Sequence, residues 1–520
     1  MRDPEIKESN HKEILILFCV CIIGFIVRFY TFDQKSLWID EIYTFQDSKD
    51  GLGDQFNFYK ENPTFLHPPL FFVLTHLFYP FSKPERDLRI IPLIFGALSV
   101  IMIYLLARQF SPSIALPCAL SLTFMTYHIS LSQDGRSYSM LMFLGMTGLY
   151  FFFKHLKTSE KWYLFLVALF FSALFYTSYS SIPFIFLSQL LWLYHPNKEE
   201  KKPNPSSFLA LNGLIFAFCL PWIVFLAIHY HGQPVMDPRH IENPGSFWYI
   251  LYSVIHDWAP HVPLMIISAL LLLFFPFVST NRKNAILLLA TFILPIGGLY
   301  LFCRFLNVTH FVGSRYLINF LPLFFIILYL SLDGIELKFE RVRSLSRFKP
   351  LFVIILITSN LMMLPLYYRS EKQNFRDLVA FFKSQLQEGD KIIDLERMST
   401  LGILYYFDVI PEKRHYILDF MKISGKEIEY RKSFLYRNRQ FTIYHSTKCC
   451  NQYVPDGGRT WVVTSKLGAK KIINDLPCAL TGYFDGSFYG ASIFPSDASI
   501  YLFLWDPQSP NKKGIDMPID

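Results

Sequence analysis

Apolar residues in this chain gather in long blocks. Blocks of about 20, the length a helix needs to cross a bilayer, begin near Ile14, Arg89, Ile114, Tyr138, Trp162, Ser181, Phe208, Val262, Ala285, Tyr316 and Leu351. Trp162–Tyr194 has room for two helices turning at Thr177-Ser178-Tyr179-Ser180. Thr64–Phe81 is apolar too, but its unbroken run between Pro69 and Pro80 is only ten residues, a length usual for re-entrant or interfacial segments. After Tyr368 the pattern changes. Phe375, Leu378, Val379 and Phe382 recur at the helical period within Asn374–Gln387. A Gly389-Asp390 turn follows, and Lys391-Ile392-Ile393, Thr460–Thr464 and Ser499–Leu504 read as strands. The pattern predicts an all-α polytopic membrane region over residues 1–368 and a small α/β domain over residues 369–520.

Lys and Arg mark the cytoplasmic loops. They concentrate in Met1–Glu13, Lys154–Lys161, Asn197–Pro203, Arg282-Lys283 and Asp333–Lys349. All five fall on one side only if Thr64–Phe81 does not cross, which leaves about 11 transmembrane helices. A crossing there would make twelve and put Lys154–Lys161 and Asn197–Pro203 outside. Eleven spans place the N-terminus in the cytoplasm and the C-terminal domain outside. Thr31–Leu88 then becomes a long outer loop with short surface helices. The first block reads as a retained span, because Met1–Glu13 mixes acids with bases and no small-residue cleavage site follows.

Composition agrees with this picture. The chain is 52% apolar and 17% charged, against roughly 25% charged in an average soluble protein, and the charge is densest after Tyr368. A soluble enzyme, a disordered chain and a nucleic-acid binder fit poorly. The net charge of +8 mostly reflects the cytoplasmic loops. Cys19, Cys21, Cys118, Cys219 and Cys303 lie in apolar blocks as small hydrophobes. Cys449, Cys450 and Cys478 lack zinc-ligand spacing, and a disulfide from either of the first two to Cys478 suits an oxidising compartment.

Four polar clusters carry candidate chemistry. Trp38-Ile39-Asp40-Glu41-Ile42-Tyr43 follows the first span and offers adjacent carboxylates as a general base, or two solvated acids in an aromatic belt. In His67-Pro68-Pro69-Leu70 the prolines stiffen the approach to a short helix and aim His67, which also suits a plain helix start. Ser132-Gln133-Asp134-Gly135-Arg136-Ser137-Tyr138 and Gly313-Ser314-Arg315-Tyr316 set Arg136 and Arg315 at outer ends of spans, as Arg89 is. Such arginines either snorkel or bind phosphate through a planar, always-charged fork. A carboxylate with His and several Arg on one side of a membrane is what transfer from a lipid phosphate needs. The base takes the acceptor's proton and the cations stabilise the departing phosphate.

The order of these features resembles the GT-C glycosyltransferases related to dolichyl-phosphate-mannose–protein mannosyltransferases and the bacterial aminoarabinose transferase of lipid A. An acidic pair after the first span is followed by HPPL, by an Arg opening the next span, and then by SQDGRSY and RYLINFLP. The resemblance covers roughly residues 12–370. It implies a core of seven spans with two juxtamembrane helices in the first outer loop. It also implies inverting transfer of a sugar from a polyprenyl-phosphate donor, the acceptor being a protein, lipid or glycan. A bacterial inner membrane suits the chain better than an endoplasmic reticulum, because its terminal domain does not resemble the luminal insertions of the eukaryotic enzymes. Asp40 becomes the catalytic base and Glu41 its support. His67 matches a lysine that meets the lipid phosphate, and Arg89, Arg136, Tyr138, Arg315 and Tyr316 match positions around the same cavity. Leu66 stands where the aminoarabinose transferase has a metal-binding Glu, so a divalent metal, though possible, loses a ligand there. A transporter or flippase for lipid-linked sugars is the competing reading. It has no need of a base facing one side, and its charges usually lie deeper in the spans.

Overall fold

The computed structural model describes residues 4–61, 68–194, 205–229, 247–305, 313–338, 348–395, 399–409, 433–437, 439–445, 458–475, 478–488, 496–508 and 514. The chain divides into two compact units. One comprises Met1–Asp33, Asp47–Pro365 and Ala491–Ile493, and the other Gln34–Gln46, Leu366–Gly490 and Phe494–Asp520.

The first unit is helical. Its elements begin with α1 (Pro4–Phe29); α2 (Ile39–Ser48) runs from the second unit into it. Next come α3 (Leu52–Glu61), α4 (Leu70–Thr75), α5 (Pro84–Ala107), α6 (Pro112–Phe124), α7 (Thr126–Ser132) and α8 (Tyr138–Thr158). There follow α9 (Lys161–Phe175), α10 (Ile182–Leu187), α11 (Pro205–His229), α12 (Phe247–Trp258), α13 (Val262–Val278) and α14 (Arg282–Phe305). The last are α15 (Leu321–Lys338), led by a 3-10 turn over Ser314–Phe320, and α16 (Phe348–Arg369), whose end enters the second unit.

An apolar helical segment stands at each of the eleven expected places. Among the described residues, five helices are by themselves long and apolar enough to cross a bilayer: Pro84–Ala107, Pro205–His229, Arg282–Leu301, Ser314–Lys338 and Phe348–Arg369. The number reaches seven when two bent pairs count as one span each. These are Pro112–Phe124 with Thr126–Ser132, bent by 63°, and Ile250–Trp258 with Val262–Val278, bent by 112°. α9 has 15 residues, and Tyr179–Leu193 is broken into 3-10 and α-helical pieces, so neither passes on length. Between α3 and α5, α4 and the 3-10 turn His76–Phe78 together make only nine residues of helix, too few for a crossing.

Small residues let these helices approach closely. A Cβ on Gly96 of α5 would lie 2.1 Å from Ser132 Oγ of α7, and one on Gly334 of α15 would lie 2.6 Å from the carbonyl oxygen of Val278. Some hydroxyls inside the unit are satisfied within their own helices: Thr123 donates to Ala119 O at 2.8 Å and Thr147 to Phe143 O at 2.8 Å.

The second unit is built on a six-stranded mixed sheet in the order β2-β3-β1-β4-β8-β5. Its strands are β1 (Asp390–Asp394), β2 (Ser433–Arg437), β3 (Phe441–His445), β4 (Thr460–Thr464), β5 (Ala479–Phe484) and β8 (Ile500–Trp505). β6 (Ser487–Phe488) and β7 (Ser496–Asp497) form a separate ribbon. β1 is parallel to β3 and β4, while β8 runs antiparallel to β4 and β5. The helices are α17 (Phe375–Gln385), α18 (Ser399–Tyr406) and α19 (Lys466–Asp475). α17 starts at Asn374, whose side chain accepts from Asp377 N–H, and it buries Phe375, Leu378, Val379 and Phe382, the apolar face seen in the sequence. Gly389 takes φ +86° at the turn into β1, a left-handed conformation that suits glycine. Trp461 of β4 is buried against Phe381 and Phe382 and donates its indole N–H to Asp390 at 2.8 Å. Of the cysteines weighed for a disulfide, Cys449 and Cys450 lie outside the described residues.

Candidate active site

Asp40 and Glu41 occupy the first turn of α2. Helix starts leave backbone N–H groups without helical partners, and Ser, Thr, Asp or Asn usually caps them. Here Trp38 precedes the helix and offers no acceptor side chain. Glu41 reaches back instead, accepting the Trp38 N–H at 3.3 Å, the carboxylate half of a capping box. The Ile42 N–H then donates to Trp38 O at 3.0 Å, and Thr44 Oγ1 to Asp40 O at 3.1 Å. Glu41 is fully buried, whereas Asp40 is only half-buried. Two adjacent acids thus have different environments. One is built into the helix start, and the other keeps an exposed face from which it can meet a substrate.

A second cluster forms in the helical unit. Arg315 lies in the 3-10 turn before α15, and Tyr138 opens α8. The guanidinium carbon of Arg315 is 5.8 Å from the centre of the Tyr138 ring and 5.2 Å from that of Tyr316, which is cation–π range. The two rings meet edge to face with centroids 6.0 Å apart, and Arg315 donates to the Tyr316 hydroxyl at 3.4 Å. Three of the expected residues therefore come together around one cation.

The support beneath them is not apparent in the local sequence. Ser314 Oγ accepts from the Tyr127 hydroxyl at 2.8 Å and donates to Asp257 Oδ2 in a short hydrogen bond. Asp257, Ser314 and Tyr127 are all buried. This chain of hydroxyls and one carboxylate anchors the residue immediately before Arg315. The available signal was Asp257 itself, an acid near the end of the apolar run Phe247–Trp258, since a carboxylate that such a run buries usually has a polar partner.

Arg89 is buried and donates to Phe32 O at 3.0 Å, which ties α5 to the chain leaving α1. Arg136 is half-buried in the tight turn Asp134–Arg136, where its N–H meets Asp134 O at 2.6 Å. An unanticipated arginine, Arg28, is fully buried. It donates to Gly24 O at 2.9 Å, Leu122 O at 2.8 Å and Thr123 O at 3.2 Å, and lies 2.8 Å from His128 Nδ1. It thereby satisfies the last carbonyls of α6. His67, and Leu66 beside it, lie outside the described residues. Among the described residues, no group of three or more His, Cys, Asp or Glu side chains is arranged to hold a metal ion.

Comparison with known proteins adds the family context. Residues 66–225 match the family described as dolichyl-phosphate-mannose-protein mannosyltransferase. Over nearly its whole length the chain is also similar to the apo state of ArnT from Cupriavidus metallidurans. The two are 10% identical, with 95% of this chain and 98% of that chain covered at a TM-score of 0.50. The chain has a GT-C glycosyltransferase fold. ArnT bound to undecaprenyl phosphate aligns at 11% identity, covering 95% of this chain and 98% of that one, with a TM-score of 0.48. The S. cerevisiae Pmt1-Pmt2 complex bound to its sugar donor is 17% identical over 42% of this chain and 34% of that one, with a TM-score of 0.32. No curated protein matches the sequence. Within the GT-C fold, the acidic pair follows the first helix, and the cluster of Tyr138, Arg315 and Tyr316 joins the starts of two later helical segments.

Proposed function

We propose that this protein is an integral-membrane, inverting glycosyltransferase. It moves a sugar from a polyprenyl-phosphate donor to a protein, lipid or glycan acceptor on the extracytoplasmic face of a bacterial inner membrane. The observation that carries this reading is the unequal pair in the first turn of α2, with Glu41 buried as a helix cap and Asp40 left partly exposed. Asp40 serves as the base. The acceptor oxygen attacks the anomeric carbon as its proton passes to Asp40, the bond from that carbon to the phosphate oxygen breaks, and polyprenyl phosphate leaves. Attack opposite the leaving group inverts the anomeric centre. Arg315, held against Tyr138 and Tyr316, stabilises the charge growing on the phosphate, with His67, Arg89 and Arg136 contributing to the same task. Eleven spans with a cytoplasmic N-terminus put the C-terminal domain, residues 369–520, on the side where transfer occurs.

Replacing Asp40 by Asn tests the assignment. Membranes of the native host, with their lipid-linked sugars metabolically labelled, supply both donor and acceptor. Label transfer should fall about 10²–10⁴-fold, the range for losing a general base, while the variant inserts normally. Transfer close to the wild-type rate would remove Asp40 from the chemistry.

A further inference from the structure

The segment carrying the acidic pair, Gln34–Gln46, groups with the C-terminal part of the chain, and several of the contacts that hold it are directed at its backbone. The Leu37 N–H donates to the Tyr406 hydroxyl at 2.7 Å, and the Ile39 N–H to Gln373 Oε1 at 3.0 Å. The Ser36 N–H and hydroxyl both donate to Glu371 Oε2, at 2.8 and 3.1 Å, and Arg376 donates to Gln34 O at 2.7 Å. Lys372 lies over the Trp38 ring at 5.8 Å, and the Phe45 ring meets Tyr405 edge-on at 5.4 Å. α2 thus borrows part of its cap: the Trp38 side chain cannot accept a hydrogen bond, so donors around the helix start find side-chain acceptors more than 330 residues along the chain.

We propose that Gln373 and Tyr406 are positioning residues for Asp40, so that the C-terminal domain is a working part of the transferase. This rests on the reading of Asp40 as the base. Their acceptors bind the N–H groups at either side of Trp38, one residue before Asp40 and three before it. They therefore set the direction in which α2 starts and where the Asp40 carboxylate points. A displacement of about 1 Å in a catalytic group can cost about 10²-fold in rate. Gln373 and Tyr406 touch neither donor nor acceptor in this account, so losing them leaves donor binding alone.

The test uses the full-length protein and four variants: Gln373→Met, Gln373→Glu, Tyr406→Phe and Asp40→Asn. Hydrogen exchange of the backbone over residues 34–48 in detergent requires no substrate. Label transfer in native-host membranes reports turnover, and binding of undecaprenyl phosphate to purified protein serves as the donor probe. Gln373→Met and Tyr406→Phe should raise exchange at Ile39 and Leu37 respectively and slow transfer about 10–100-fold. The probe's affinity should stay within about threefold of wild type, since no phosphate-binding group changes. Gln373→Glu keeps an acceptor oxygen and should restore both the protection and most of the transfer. Unchanged exchange in both loss variants overturns the proposal, as does full transfer by them while Asp40→Asn is inactive. Equal losses of transfer and probe binding also overturn it. If Asp40→Asn itself transfers normally, the underlying assignment of the base is what has failed.

Discussion

The two polar regions of this molecule are built in opposite ways. Around Arg315 the supports are side chains meeting side chains: Tyr127 to Ser314 to Asp257, with two tyrosine rings around the guanidinium. Around Asp40 they are side chains meeting backbone, with Glu371, Gln373 and Tyr406 accepting from Ser36, Ile39 and Leu37. The difference follows from the surroundings. Ser314, Tyr127 and Asp257 are buried together in a helical unit, where these polar side chains satisfy one another. The start of a short helix has N–H groups to spare, and a neighbouring element can hold it by supplying acceptors. The first arrangement resists rotation of one side chain, whereas the second fixes the orientation of a whole helix. A site that must match a base to a substrate benefits from the second.

Substitutions can break the two arrangements separately. The largest effect is expected from Asp40→Asn, about 10²–10⁴-fold in transfer, set against Glu41→Gln. Glutamine can still accept the Trp38 N–H, so that variant should keep most of its rate, and a larger loss than in Asp40→Asn would exchange the roles. Arg315→Ala follows, lowering turnover more than it weakens undecaprenyl phosphate binding, because the contact strengthens as charge builds on the phosphate. A fall in binding as large as the fall in turnover would make Arg315 a ground-state ligand only. Next, Ser314→Ala removes the donor to a buried carboxylate and should cost about 1–3 kcal/mol, read as a lower unfolding temperature in detergent. Asp257→Asn combined with it should cost less than the two single changes added, since both break one link. Packing in the second unit can be broken as well: a Cβ on Gly402 would stand 2.5 Å from the Phe375 ring between α18 and α17. Gly402→Ala should therefore destabilise the C-terminal unit by about 1–3 kcal/mol, seen as faster proteolysis there with the membrane region intact.

Much of the helical frame could be read from the sequence because apolar blocks and the 3.6-residue period are local signals. α17 buries the four residues its period selects, and β4 spans the alternating run Thr460–Thr464. The broken character of Tyr179–Leu193 and the bends at Met125 and between Trp258 and Val262 were hidden, since composition reports apolarity and not the continuity of hydrogen bonding. At the site, the acidic pair and the Arg-Tyr dipeptide were visible as residue types. What they lean on was not. Asp257 and Ser314 are 57 positions apart, and Leu37 and Tyr406 are 369 apart, and no local pattern encodes pairings across such distances. The cap by Glu41 was hidden for a different reason: the usual Ser or Thr at the head of a capping box is replaced by Trp38.

The most direct test follows both products of one reaction. Purified wild-type protein and Asp40→Asn, in detergent, are given labelled lipid-linked sugars and acceptors extracted from the native host's membranes. Glycoside and free polyprenyl phosphate are then quantified together. Wild type should form them in equal amounts, and Asp40→Asn should form neither above about 1% of that level. A wild-type protein that binds the lipid-linked sugar yet yields no glycoside and frees no polyprenyl phosphate, across the full extract of acceptors, would contradict transfer and leave a carrier in its place.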